Sequence, residues 1–300
     1  VLKGRLRGNI EAYMMVTKDL LIPRKLPDIT GYASVFSNMG QVNNRGFEIA
    51  LNSVNLSSND LSWTSDFSLS FNRNKIVHLY GDFKTDPVTG ETTEVNDITN
   101  QWFIGHAIDE IWDYRTLGIW QTPETDEAKS YSRSPGDYKL QDVNDDGYYT
   151  DADKQFLGYE RPPFRLTLRN NIQYKNWELS IKMYSYLGHL AANNNLRNMP
   201  AFYDRCTNYN VPYWTPDNPG NKWARIDSYQ TGFNVWENNS FVRFDNVSLS
   251  YNVPNSFLNK FKIVSCRISV VSDNPYVWAP GWSWMDPENN SYTPSYISFK

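Results

Sequence analysis

The densest run of oxygen donors in the chain is Asp142-Val143-Asn144-Asp145-Asp146-Gly147-Tyr148-Tyr149-Thr150-Asp151-Ala152-Asp153. Counted as a twelve-residue cation loop, it places side-chain oxygens at the first, third, fifth, ninth and twelfth positions: Asp142, Asn144, Asp146, Thr150 and Asp153. Tyr148 would add its backbone carbonyl, and Gly147 stands sixth, where such a loop turns sharply. Carboxylates crowded this closely repel one another unless a hard cation sits among them, so the spacing predicts a structural Ca2+ that stiffens a loop and takes no part in catalysis. Two features depart from the pattern. Asp153 stands where the longer Glu is usual, and no helix pair flanks the loop. An Asx-rich surface turn without metal uses the same residues and stays open as the alternative.

Other chemistry is sparse. His78, His106 and His189 lie far apart with no ligand-like spacing. Adjacent carboxylates such as Asp109-Glu110 and Asp145-Asp146 show nothing in their surroundings that would split them into acid and base. There is no G-x-S-x-G nucleophile elbow and no phosphate loop, so no enzyme is expected. Cys206 and Cys266 have no metal-type spacing, and no framework pattern supports a disulfide between them. Aromatic residues are abundant, with 11 Trp, 20 Tyr and 15 Phe. Trp214, Trp223 and Trp236 are the candidates for stacking on a substrate, along with Trp278, Trp282 and Trp284. The same rings could instead anchor strand ends at lipid headgroups or staple long loops, and this second reading is favoured because aromatic girdles are general in membrane barrels.

The elements that must position these residues are strands. In Trp63 to Asn72 the odd positions read Trp63, Ser65, Phe67, Leu69 and Phe71, and the even ones are polar. From Phe164 the even positions carry Leu166, Leu168, Ile172 and Tyr174, with Asn170 the one break. Trp177, Leu179, Ile181 and Met183 alternate with Glu178, Ser180, Lys182 and Tyr184. Arg5 to Val16, Phe47 to Ser53 and Ile263 to Val270 alternate similarly, and Phe241 to Tyr251 less cleanly. This is the period of a strand with one apolar and one polar face. Nine or ten such strands are expected and no long amphipathic helix.

Some connections are tight, as at Ser57 to Asp60 and Tyr174 to Asn176. Others are long, roughly Thr122 to Pro162 and His189 to Trp236. Short turns alternating with long loops suit an outer-membrane barrel. No stretch approaches the ~20 apolar residues of a spanning helix, a test that a barrel escapes because only every second residue faces lipid. A soluble β-sandwich that binds or degrades carbohydrate also has half-apolar strands and is the rival fold. Strands of about ten residues, near the ~9–11 that cross a bilayer, favour the barrel. The charge balance of 29 basic against 33 acidic residues speaks against a nucleic-acid partner.

Several segments then resemble one family. Gly40-Gln41-Val42-Asn43-Asn44-Arg45-Gly46-Phe47-Glu48, Gly118-Ile119-Trp120-Gln121-Thr122, Pro135-Gly136-Asp137 with Asp142 to Gly147, Trp214-Thr215-Pro216-Asp217-Asn218-Pro219, Ser240 to Tyr251 and Asp286-Pro287-Glu288 resemble, in order, motifs of the barrel of SusC/RagA-type TonB-dependent transporters. The resemblance covers nearly the whole chain. It implies an all-β fold, in which residues 1–300 form the C-terminal part of a large antiparallel transmembrane β-barrel of about 22 strands, the plugged-lumen class. It further implies a Gram-negative, Bacteroidota-like outer membrane, import of an oligosaccharide or peptide, a SusD-like surface lipoprotein as lid, and TonB as energy source acting through an N-terminal part outside these residues. About ten strands cannot close such a barrel, so the remaining strands are expected from the rest of the protein. A passive porin-like channel is the third reading.

Overall fold

Alternation of period two becomes one antiparallel sheet of eight strands in the computed structural model of the chain. The structure describes residues 4–25, 29, 31, 34–38, 40–197, 210–228, 230–289 and 296–299. The strands of the sheet are β1 Leu6–Lys18, β2 Gln41–Ser57, β3 Leu61–His78, β4 Phe164–Tyr174, β5 Trp177–Leu187, β6 Phe241–Asn252, β7 Arg267–Trp278 and β8 Tyr296–Phe299. Each pairs only with its neighbours in this order, so the chain runs up and down with no crossover.

Register decides what each face shows. Directly paired residues share a face, and Ile10, Ile49, Leu69 and Leu166 form one continuous row, as do Leu51, Phe67, Leu168 and Met183. The polar rows lie opposite: Glu48, Ser70, Arg165 and Tyr186 in one, and Ala50, Ser68, Thr167 and Tyr184 in the next. Among the described residues these apolar rows stay open to the outside. Ile10 is 73% exposed, Ile268 57% and Leu249 44%. In a sandwich these rows would press against a second sheet; uncovered, they belong to a wall whose outer solvent is hydrocarbon.

The band has the right height. Phe47, Phe71 and Phe164 stack across three strands, with ring centroids 5.4 and 4.8 Å apart. Toward the other end Trp177 and Tyr251 lie 4.7 Å apart, beside Tyr174 and Trp63. Phe164 to Tyr174 spans ten steps of about 3.3 Å, which at a tilt of about 40° covers ~25 Å, the height of a lipid-facing band between aromatic girdles. The break at Asn170 is satisfied within this face, since its carbonyl oxygen accepts from Trp63 Nε1 at 3.0 Å and Ser65 Oγ at 2.6 Å.

The connections sort by end. Ser58–Asp60, Lys175–Asn176 and Val253–Cys266 join strands at one end. Lys175, at φ +51°, makes the tightest of these turns. Every long connection leaves from the opposite end, where Val42, Ile76, Leu79 and Tyr80 form a small buried cluster with Leu20, Trp102 and Ile104 against it. Two paired segments decorate these long connections, Leu21–Lys25 with Ser34–Asn38 and Phe83–Thr85 with Thr92–Glu94.

The two longest loops are not loose. By contacts the chain divides into two units, and Asp109–Glu160 with Leu190–Asn238 forms the second, apart from the sheet. Glu110–Tyr114 pairs with Lys154–Tyr159, Thr116–Ile119 with Tyr138–Leu140, and Leu190–Ala192 with Trp236–Asn238. These pieces have buried apolar residues of their own: Trp120 and Leu196 are fully buried, and Ile119, Tyr138, Leu140, Phe233 and Val235 are buried as well.

One expectation needs adjusting, and another falls outside the described residues. Among the described residues the sheet has eight strands. The strand expected over Ile263 to Val270 begins only at Arg267, because the chain first turns through Asn259–Phe261 with Lys262 at φ +56°. Cys206 lies outside the described residues.

Candidate functional site

The polar face of the sheet lines a cavity of about 580 Å³. Glu48, Ser68, Ser70, Arg165, Thr167, Lys182, Tyr184, Tyr186, Asp245 and Glu288 contribute side chains to it. For the strand residues this placement follows from the alternation that turned their neighbours outward, while Glu288 reaches the cavity from the connection after β7. One residue needs more. At Asp245 the register of β6 shifts against both neighbours, and this bulge carries the carboxylate to Lys182 Nζ at 2.6 Å. Arg165 lies over the Tyr186 ring at 5.3 Å, and Tyr184 donates to Glu288 Oε2 at 2.6 Å. Acidic, basic and phenolic groups therefore alternate along one polar surface, suited to hydrogen-bonding a polar occupant.

This face is braced from one side. Arg243 of β6 and Asp286 are both buried, with Arg243 Nη2 2.6 Å from Asp286 Oδ1. Asn239 Nδ2 donates to the carbonyl of Pro287 at 2.7 Å. The Ser240 to Tyr251 and Asp286-Pro287-Glu288 motifs are thus two halves of one contact, which their separation in sequence conceals.

The second unit holds the remaining candidates. Trp214 and Trp223 are buried; Trp214 Nε1 donates to Gln121 Oε1 at 2.9 Å, and its amide to the Trp223 carbonyl at 3.1 Å. Trp236 is half-buried, its Nε1 donating to Asp113 Oδ2 at 2.9 Å. The same Asp113 oxygen accepts from the backbone and side chain of Asn234. The Trp214 and Trp236 indoles thus tie distant segments of the unit together. Trp214 also edges a cleft of about 430 Å³ with Tyr213, Pro216 and Arg225. Gly136, at φ +91°, leaves no room for a Cβ, which would stand 2.6 Å from the Trp214 ring. Asp137 beside it accepts from Arg225 Nε at 3.0 Å and Ser228 Oγ at 3.3 Å.

In the cation-type loop, Asp142 Oδ2 accepts from the Gly147 amide at 2.9 Å and the Tyr131 hydroxyl at 3.0 Å. Its other oxygen, Oδ1, is shut off from solvent with no hydrogen-bond donor. Partial burial pushes the Asp142 carboxyl up, but these donors outweigh it and hold the group below its usual range. Asp146 accepts from Tyr148 N, and Asp153, fully buried, accepts from Val143 N and Thr150 N at 2.8 and 2.7 Å. Asn144 Nδ2 reaches Asp146. Beside the loop, Lys139 Nζ sits 4.0 Å over Trp120, and Tyr131 stacks between Trp120 and Tyr149. Burial pushes the Tyr149 phenol up to about 12. Among the described residues no group of three or more His, Cys, Asp or Glu is gathered as a metal centre. His78 pairs with Glu94 at 3.1 Å, while burial first, and Arg165 second, push His189 down.

No protein-family model matches the chain. It is 30% identical over 301 residues to the TonB-dependent receptor P3 of Formosa agariphila, covering 96% of this chain and 29% of that protein. It is 24% identical over 298 residues to the TonB-dependent receptor SusC of Bacteroides thetaiotaomicron, covering 97% of this chain and 28% of that one. The chain thus spans less than a third of these curated relatives. Among solved structures, a chain of the RagAB peptide transporter superposes with a TM-score of 0.69 at 21% identity, over 98% of this chain and 33% of its own. That likeness is one of fold.

Proposed function

Because the chain is barrel wall of a SusC/RagA-type TonB-dependent receptor of the outer membrane, we propose that the complete protein imports a nutrient, an oligosaccharide or a peptide, across that membrane. A SusD-like lipoprotein would close the outer side, and TonB would drive release through parts of the protein outside this chain. The observation that carries the reading is the two-faced sheet: apolar rows left exposed among the described residues, and a polar face lining a cavity. The peptide named for RagAB makes a peptide one of the two substrate classes to test. Uptake of labelled oligosaccharides and labelled peptides by cells carrying the full receptor tests the proposal. Accumulation of one class that stops when TonB is deleted is expected; accumulation indifferent to TonB would point to a passive channel and overturn it.

We also propose Ca2+ in the loop Asp142 to Asp153. All its candidate donors are oxygens, Gly147 makes the required turn at φ +81°, and Asp142 Oδ1 lacks a donor. Asp142, Asn144, Asp146, Thr150, Asp153 and the Tyr148 carbonyl would hold the ion, which would stiffen the second unit. Calorimetry of the full receptor with Ca2+ is expected to show heat that Asp142→Ala abolishes; equal heats from both proteins would remove the ion from the account.

A further inference from the structure

The connection Val253–Cys266 between β6 and β7 is the odd one at the short-turn end. Its counterparts Ser58–Asp60 and Lys175–Asn176 simply reverse the chain. This one folds into Asn255–Leu258 followed by Asn259–Phe261, and buries only Leu258 among its apolar side chains. Phe257 is 55% exposed, Phe261 61% and Val264 91%, with the two Phe rings 5.3 Å apart. Such a group of uncovered rings is costly in water. Lys260 and Lys262 are exposed among them, and among the described residues neither makes an ion pair.

Two observations name the occupant. The segment continues the wall: Tyr251 and Ile268, the apolar-face residues at this end of β6 and β7, form a pair, so the uncovered apolar surface runs on into the connection. The same end carries Trp177, Tyr174 and Trp63, the composition of a girdle at headgroup level. Apolar rings interleaved with lysines at that level match a headgroup layer, with rings toward the acyl boundary and ammonium groups toward phosphates.

Resting on the barrel reading, we propose that Val253–Cys266 is a foot lying in the inner leaflet of the membrane, with Phe257, Phe261 and Val264 inserted at the acyl boundary and Lys260 and Lys262 bound to anionic phospholipid headgroups. Short turns of such barrels face the periplasm, which assigns the leaflet. The foot would fix the depth of the wall where the chain would otherwise hang free in water.

The test uses the full-length receptor with its cysteines replaced by serine, in vesicles of phosphatidylethanolamine and phosphatidylglycerol. Single nitroxide labels at Phe257→Cys, Phe261→Cys, Val270→Cys on the wall and Asp217→Cys on the second unit are compared for collision with oxygen and with a water-soluble nickel chelate. Phe257→Cys and Phe261→Cys are expected to favour oxygen, as Val270→Cys does, while Asp217→Cys favours nickel. Nickel-accessible labels at both Phe positions, with Val270→Cys still in lipid, would overturn the foot alone. A nickel-accessible label at Val270 would overturn the barrel reading beneath it. Lys260→Glu with Lys262→Glu, both exposed, is expected to lower retained phosphatidylglycerol in native mass spectra about tenfold; unchanged retention would remove the headgroup contact.

Discussion

Ile10 on the wall is 73% exposed, and Trp120 in the second unit is 0% exposed, although both are apolar residues in extended or nearly extended chain. The wall turns its hydrocarbon outward and keeps its polar residues on the other face; the second unit encloses its hydrocarbon in a core of its own. The same transfer free energy thus shapes two regions of one chain in opposite senses, because they answer to different solvents. A mutation should therefore be judged by which solvent its side chain meets, and burial within the protein is a poor guide on the wall.

The largest expected effect tests the enclosed side of this contrast. Trp120→Ala should destabilise the second unit by about 3–5 kcal/mol, seen as lost hydrogen-exchange protection in Asp109–Glu160 while the wall strands keep theirs. Equal loss in both would mean that the units do not fold as separate bodies. Next comes the wall. Leu168→Arg, in the middle of the apolar band, should cost about 2–4 kcal/mol on refolding into bilayers, whereas Thr167→Arg, one residue away on the wet face, should cost little. If the two substitutions cost the same, the assignment of faces is wrong. A smaller effect separates backbone from side chain. Gly136→Ala should destabilise the second unit by about 2 kcal/mol, through its positive φ and the crowding of Trp214; an unchanged melting profile would show that the turn relaxes. The smallest is a pH effect in the long connection after β3. Burial pushes Glu94 up, but the amides of Gly81 and Leu79 and the neighbouring His78 outweigh it, and its carboxyl lies below the ordinary 4.5. A depressed folded value gives stability that is present above 4.5 and fades as pH falls below it toward the folded value. Protection of the Leu79 and Gly81 amides should fade over that window, and Glu94→Gln should flatten the dependence.

The alternation of Phe164 to Tyr174 and Trp177 to Tyr184 was legible down to the residue, because side-chain direction along a strand depends only on local backbone geometry. The start of β7 was not. Ile263 to Cys266 alternates as a strand would, but it follows the left-handed turn at Lys262 with the Ile263 amide turned back to Leu258, and the sheet takes up the chain only at Arg267. Asn170 looked like a defect in the apolar face until Trp63 and Ser65 supplied its donors from the neighbouring strand.

By itself, then, the sequence determined the period, the two faces, the order of family motifs and the oxygen donors of the cation-type loop, all of which are properties of neighbours along the chain. Only the tertiary structure decided that Arg243 meets Asp286, that Gln121 receives the Trp214 indole, that the long loops share a buried core, and that the apolar rows stay uncovered. Those facts join residues tens of positions apart, and loop closure over such distances is governed by the packing of the whole unit, which local pattern does not encode.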